Sequence, residues 1–106
     1  IGSVVIKDRK ELSEEGVIVV SIAIDFENKK LMNNPDIISR GFVNVNESTE
    51  LFGQSKAVVK EAVLSALSSE ECGVYQVRQQ ILESLGEFLE SEIGRKPVIL
   101  PTILEV

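Results

Sequence analysis

Histidine and tryptophan are missing from this chain, cysteine and methionine occur once each, and aromatic residues make up 5% of its 106 residues. The absence of His excludes a His-based zinc site, a Ser-His-Asp triad and a Cys-His dyad within the chain. A single cysteine, Cys72, excludes an internal disulfide and fits a reducing cytosol. Positive charge is also scarce. There are 11 Lys and Arg against 17 Asp and Glu, a formal net charge of -6, which argues against a free-standing nucleic-acid binder because phosphate neutralisation needs a positive surface. Long hydrophobic runs are lacking. The longest, Val17–Ile24, is interrupted by Ser21 and falls well short of the roughly 20 residues of a membrane helix. No charged start leads into an apolar stretch, so no signal peptide is expected, and Ile1 reads as the interior of a longer protein. The expectation is a cytoplasmic piece with no membrane partner, forming one domain over residues 1–106.

What is present, 43% hydrophobic and 26% charged residues, is ordinary for a globular fold. Val4-Val5-Ile6 is a short strand candidate, and Lys7–Glu15 is a charged connection closed by Gly16. Val17–Asp25 is the clearest strand, rich in the β-branched residues that fit a pleated sheet. Its two faces, Ile18, Val20, Ile22, Ile24 and Val17, Val19, Ser21, Ala23, are both largely apolar. The polar turn Glu27-Asn28-Lys29-Lys30 predicts a hairpin returning through Leu31-Met32. Asn33-Asn34-Pro35-Asp36 interrupts the return, and Ile37–Val45 resumes it, with Gly41 marking a bulge or close approach. Ser48 is a helix cap, and the helix it opens runs to about Leu67 with the stripe Leu51, Ser55, Val58, Val59, Ala62, Ala66, Leu67. Ser68 and Glu71 have the spacing of a capping box for a second helix, striped by Val74, Val77, Ile81, Leu85, Phe88, Leu89 and ended by Gly94 and Pro97. Val98–Val106 is a final strand in which Pro101 favours an edge position. The order β-β-β-α-α-β predicts an α+β two-layer sandwich: a small, mostly antiparallel sheet of three to four strands with two antiparallel helices on one face.

Two helices cover one sheet face. Strands that are apolar on both sides are usually covered on both, and the sequence supplies no third helix. Val17, Val19, Ala23, Ile99 and Ile103 are therefore candidate interface residues, to be buried on the second face or the last strand's edge by another subunit or domain. Such an interface buries roughly 1,200–2,000 Å² in total. The alternative is that they are single exposed apolar side chains or lie under Lys7–Glu15.

Few residues offer chemistry. Arg40, beside Gly41, and the pair Arg95-Lys96 are candidate RNA or inter-domain contacts. Arg40 suits a phosphate or a neighbour's carboxylate, or else a plain salt bridge to Asp36 or Glu47. Arg95-Lys96 also suits the negative end of a helix dipole. Cys72 has no His partner and sits beside Glu70 and Glu71, so an inert thiol is expected. Glu83, Glu87, Glu90 and Glu92 read as a wet helix face. There is no Gly-rich phosphate loop and no nucleophile with a paired base, so no catalysis, metal or cofactor is expected within the chain.

Four stretches bear on kinship: Asp8-Arg9-Lys10-x-Leu12-Ser13-Glu14-x-Gly16; Pro35-Asp36-Ile37-Ile38-Ser39-Arg40-Gly41-Phe42-Val43; Phe88-Leu89; and Arg95-Lys96-Pro97-Val98-Ile99-Leu100-Pro101 running to Leu104-Glu105-Val106. In order and spacing they resemble the C-terminal domain of bacterial ribonuclease J. The resemblance implies a larger chain, with a metallo-β-lactamase domain interrupted by a β-CASP domain, then a linker, then this domain. It implies a zinc-dependent 5′-to-3′ exoribonuclease and endoribonuclease of mRNA decay and ribosomal RNA maturation. The zinc ligands would be His and Asp residues upstream. It further implies that this domain is a small sheet facing two helices that supports a homodimer or tetramer, or pairing with a ribonuclease J paralogue, while RNA is engaged by the parent. Two other readings remain: a module guiding RNA through Arg40, Arg95 and Lys96, and a ligand-sensing domain of the kind many small α+β folds are.

Overall fold

A computed structural model describes residues 16–41, 45–94 and 96–106. The strand expected at Val4–Ile6, the connection Lys7–Glu15, Arg95 and the Ser48 cap lie outside the described residues or side chains. The element order is β1 (Val17–Asp25), β2 (Lys30–Leu31), β3 (Asp36–Arg40), α1 (Val45–Leu67), α2 (Val74–Ile93) and β4 (Val98–Glu105), which is the expected β-β-β-α-α-β sandwich.

β1 is the spine of the sheet. β4 runs parallel along one of its edges, from Val17 opposite Val98 to Ile24 opposite Glu105. Along the other edge β2 and β3 pair with it antiparallel. These two strands are halves of one return strand split by a bulge. The register moves from Leu31 opposite Ile24 to Asp36 opposite Ser21, leaving extra residues in between. Asn33 repairs the ladder there: its Oδ1 accepts the Ala23 N–H at 2.8 Å, while Met32 N–H donates to the Ala23 carbonyl at 2.8 Å. Pro35 is buried in the bulge, where its missing N–H breaks no sheet bond.

Of the strand expected over Ile37–Val45, residues 42–44 lie outside the described residues, and the described part is shorter than expected. It stops at Arg40, and Val45 already belongs to α1. Gly41, at φ 63, turns the chain out of the sheet through the left-handed region. It meets Gly16, at φ 81, where a Cβ would stand 2.7 Å from the Gly41 carbonyl oxygen. Only glycine fits that corner.

Alternation along β1 decides where the core lies. Ile18, Val20, Ile22 and Ile24 are buried and meet Val59 and Val63 of α1 and Val77, Ile81, Leu85 and Leu89 of α2. Val63 joins the α1 stripe, and Val58 is half-buried at its margin. α2 begins after Gly73 in extended backbone with no side-chain cap, so the predicted capping box does not form. Ser68 Oγ instead donates to the Ser65 carbonyl at 2.7 Å and helps close α1. Gly94 ends α2 as predicted, at φ 67 with its N–H on the Glu90 carbonyl.

Among the described residues β4 is an edge strand, paired with β1 alone. Val98 N–H donates to the Gly16 carbonyl and Val106 N–H to the Ile24 carbonyl. In a parallel ladder the alternate residues then direct their main-chain groups outward. Those residues are Ile99, Pro101, Ile103 and Glu105, so Pro101 lacks its N–H at an outward-directed position.

Candidate functional site: the sheet face away from the helices

Residues paired across a sheet share a face, and the register therefore assigns every side chain. Ile99 lies opposite Ile18 and Ile103 opposite Ile22. Both point to the helix layer, where they are half-buried against the core and Ile99 packs beside Gly86 of α2. Of the five interface candidates, the structure thus brings Val17, Val19 and Ala23 together on the open face and turns Ile99 and Ile103 inward. Their places on the open face are taken by Leu100 and Leu104, opposite Val19 and Ala23.

The open face is organised in rows across three strands. Arg40, Val17 and Val98 form the first, Ile38, Val19 and Leu100 the second, and Asp36, Ser21 and Thr102 the third; Ala23 and Leu104 follow. Ile38 is 55% exposed, Leu100 48% and Leu104 61%. The described helices pack on the opposite face, against Ile18, Val20, Ile22 and Ile24. The sequence pattern found the β1 part of this surface from its double apolarity. Ile38, Leu100 and Leu104 escaped notice because their face depends on the register, which one strand's sequence does not contain.

Arg40 stands exposed at one corner of this face. It forms no ion pair with Asp36; the ion pair among the described residues joins Lys96 Nζ to Glu90 Oε2 at 3.3 Å. Arg40 and Asp36 instead flank Ile38 along β3, so the face carries a positive corner and a negative row on either side of an apolar centre. Lys96 lies at the same end of the sheet as Arg40, since β4 starts beside Val17. It is turned to α2, however, where it lines a groove of about 340 Å³ with Glu83, Glu87 and Glu90. Cys72 is half-buried against the core in the connection between the helices. Among the described residues, no three His, Cys, Asp or Glu side chains converge to hold a metal ion, and no helix is long and apolar enough to cross a membrane.

Comparison with known proteins gives one answer. The family model described as the ribonuclease J C-terminal domain matches residues 4–106. Ribonuclease J2 of Bacillus subtilis is 38% identical over 106 residues, covering 100% of this chain and 19% of that protein. Ribonuclease J 1 of Streptococcus pyogenes is 36% identical over 104 residues, covering 98% of this chain and 19% of that protein. Ribonuclease J 2 of Staphylococcus aureus is 30% identical over 106 residues, again over 19% of its length. The chain therefore spans about a fifth of the relatives it matches.

Proposed function

The chain belongs to the ribonuclease J C-terminal domain family, and we propose that it is the non-catalytic oligomerisation and support domain of a zinc-dependent ribonuclease. The reading rests on one observation: a sheet face bearing Ile38, Leu100 and Leu104 at 48–61% exposure on the side away from the only described helices. Burying such side chains drives association. A second copy of the chain is the occupant that the charges favour. A two-fold axis near Ile38 sets Arg40 of one copy toward Asp36 of the other, and an interface between identical surfaces must be self-complementary in this way.

The remainder of the proposal follows from kinship. RNA hydrolysis, exonucleolytic from the 5′ end and also endonucleolytic, belongs to upstream metallo-β-lactamase and β-CASP domains in the cytoplasm, acting in mRNA decay and ribosomal RNA maturation. In this proposal zinc is bound in those upstream domains. Assembly as a homodimer or tetramer, or with a ribonuclease J paralogue, would hold those domains in their working arrangement. A direct RNA contact through Arg40, Arg95 and Lys96 has less support, because Lys96 is already paired with Glu90.

Sedimentation of the chain over a range of concentrations tests the proposal. A dimer or higher assembly is expected, weakened by Arg40→Glu and recovered in Arg40→Glu/Asp36→Arg. A monomer at every concentration overturns it, as does an assembly indifferent to both variants.

A further inference from the structure

The geometry points to a second docking surface, a lysine-lined groove where α1 passes β2, that takes a short acidic peptide segment carrying aliphatic side chains. It uses neither the open sheet face nor the nuclease kinship. The groove has a volume of about 770 Å³ and is lined by Lys29, Lys30 and Lys60 together with the apolar Leu31, Met32 and Leu64 and the amides Asn33 and Asn34. No carboxylate lines it, although the chain as a whole carries a net charge of -6. None of the three lysines forms an ion pair with a described residue. Met32 is 54% exposed and Leu64 46%, so the apolar part of the lining is open to solvent.

The lip of the groove is fixed in advance. Asp25 Oδ1 accepts the Asn28 N–H at 3.1 Å and its Oδ2 accepts from Asn28 Nδ2 at 2.7 Å. These bonds hold the turn in which Lys29 adopts φ 55, a left-handed conformation unfavourable for a residue with a side chain. They also hold the Asp25 carboxyl below its ordinary range, the Asn28 side chain being the largest cause, so the lock is charged and intact at neutral pH. Asp25 lies opposite Lys30 in the ladder and softens that one positive charge. On the other side, the bond from Ala23 N–H to Asn33 Oδ1 fixes the bulge that presents Met32. A surface already ordered loses little entropy on binding, and strained backbone persists where surrounding structure over-determines it.

Ligand chemistry follows from the lining. Lysine ammonium groups among aliphatic side chains match a peptide that offers carboxylates and Leu-type side chains together. The unbranched thioether of Met32 adapts to such side chains. RNA matches less well. The groove has no aromatic ring on which a base could stack and no Arg to grip phosphate bidentately.

The test is a nuclear magnetic resonance titration of the isotope-labelled chain with the blocked peptide Asp-Glu-Leu-Leu-Asp-Asp-Leu-Glu. Amide shifts confined to Lys29–Asn34 and the Lys60–Leu64 turn are expected, with a dissociation constant on the order of 0.1 mM. Lys30→Glu/Lys60→Glu, both on exposed side chains, should weaken binding about tenfold or more without altering the rest of the spectrum. The same peptide with Ser for every Leu should bind more weakly. Leu100→Asp, on the open sheet face, should leave peptide binding unchanged, which separates this result from the fate of the oligomer. The proposal is overturned by an absence of shifts at the groove, by undiminished binding to the charge-reversed variant, or by octa-adenylate binding there more tightly than the peptide.

Discussion

Two adjacent residues of β4 should respond oppositely to the same substitution. Ile103 lies opposite Ile22, which is 3% exposed, and packs on the core, whereas Leu104 lies opposite Ala23 on the open face at 61% exposure. Full burial of an aliphatic side chain is worth about 1.5–3 kcal/mol. A half-buried Ile103 accounts for about half of that, and placing a carboxylate against the core costs about 1–3 kcal/mol more. Ile103→Asp should therefore remove about 3 kcal/mol from a total stability of roughly 5–15 kcal/mol. Leu104→Asp should change monomer stability by no more than about 0.5 kcal/mol, as exposed substitutions do. In a two-fold dimer each substitution counts twice. Losing two buried leucines costs about 3–6 kcal/mol, and the dissociation constant rises about 10²- to 10⁴-fold. Urea denaturation in the dilute monomer reads the first effect and sedimentation the second. Equal destabilisation of the monomer by both variants would refute the register. An unchanged oligomer in Leu104→Asp would refute the interface.

Other expectations concern the corner, the core and the turn. Gly16→Ala should destabilise by about 2–4 kcal/mol, because φ is 81 and the new methyl would meet the carbonyl oxygens of Gly41 at 2.7 Å and Arg40 at 2.9 Å, both backbone; the urea midpoint measures it. Ser55 is 1% exposed and its Oγ finds no hydrogen-bond partner among the described residues, so Ser55→Ala should raise stability by about 1 kcal/mol in thermal unfolding. The Asp25 carboxyl should titrate below its reference value of 3.8, and Asn28→Ala should return it toward that value in a resonance-monitored pH titration. The sign is that of a depressed acid: the turn's contribution is present above the unfolded value and is lost as pH falls through the lowered one.

Local chemistry made most of the fold legible. The β-branched run of β1, the stripes of both helices, and Gly94 followed by Pro97 each announce an element through near neighbours, and each is found where the pattern puts it. Failures arise where a distant partner decides. Ser68 and Glu71 have capping-box spacing, but the extended backbone at Gly73 delays α2 and Ser68 serves α1. The inward turn of Ile99 and Ile103 is set by which residue of β1 each faces, information shared between strands far apart in the chain. Double apolarity announced the open face, but its membership had to await the register. The lysine groove had no sequence signature, because Lys60 reaches Lys29 and Lys30 only when α1 passes β2.

Pro101 bears on how far association can go. A solvent-facing sheet edge is a template onto which further chains can add, strand upon strand, without limit. β4 sets a residue with no amide hydrogen midway along that rim, and on the opposite rim the bulge around Pro35 spoils the register for a newcomer. Growth by end-to-end sheet extension is thereby discouraged at both margins. Under the proposed association, copies of the domain would stack by their broad surfaces into a closed, countable particle rather than a fibre.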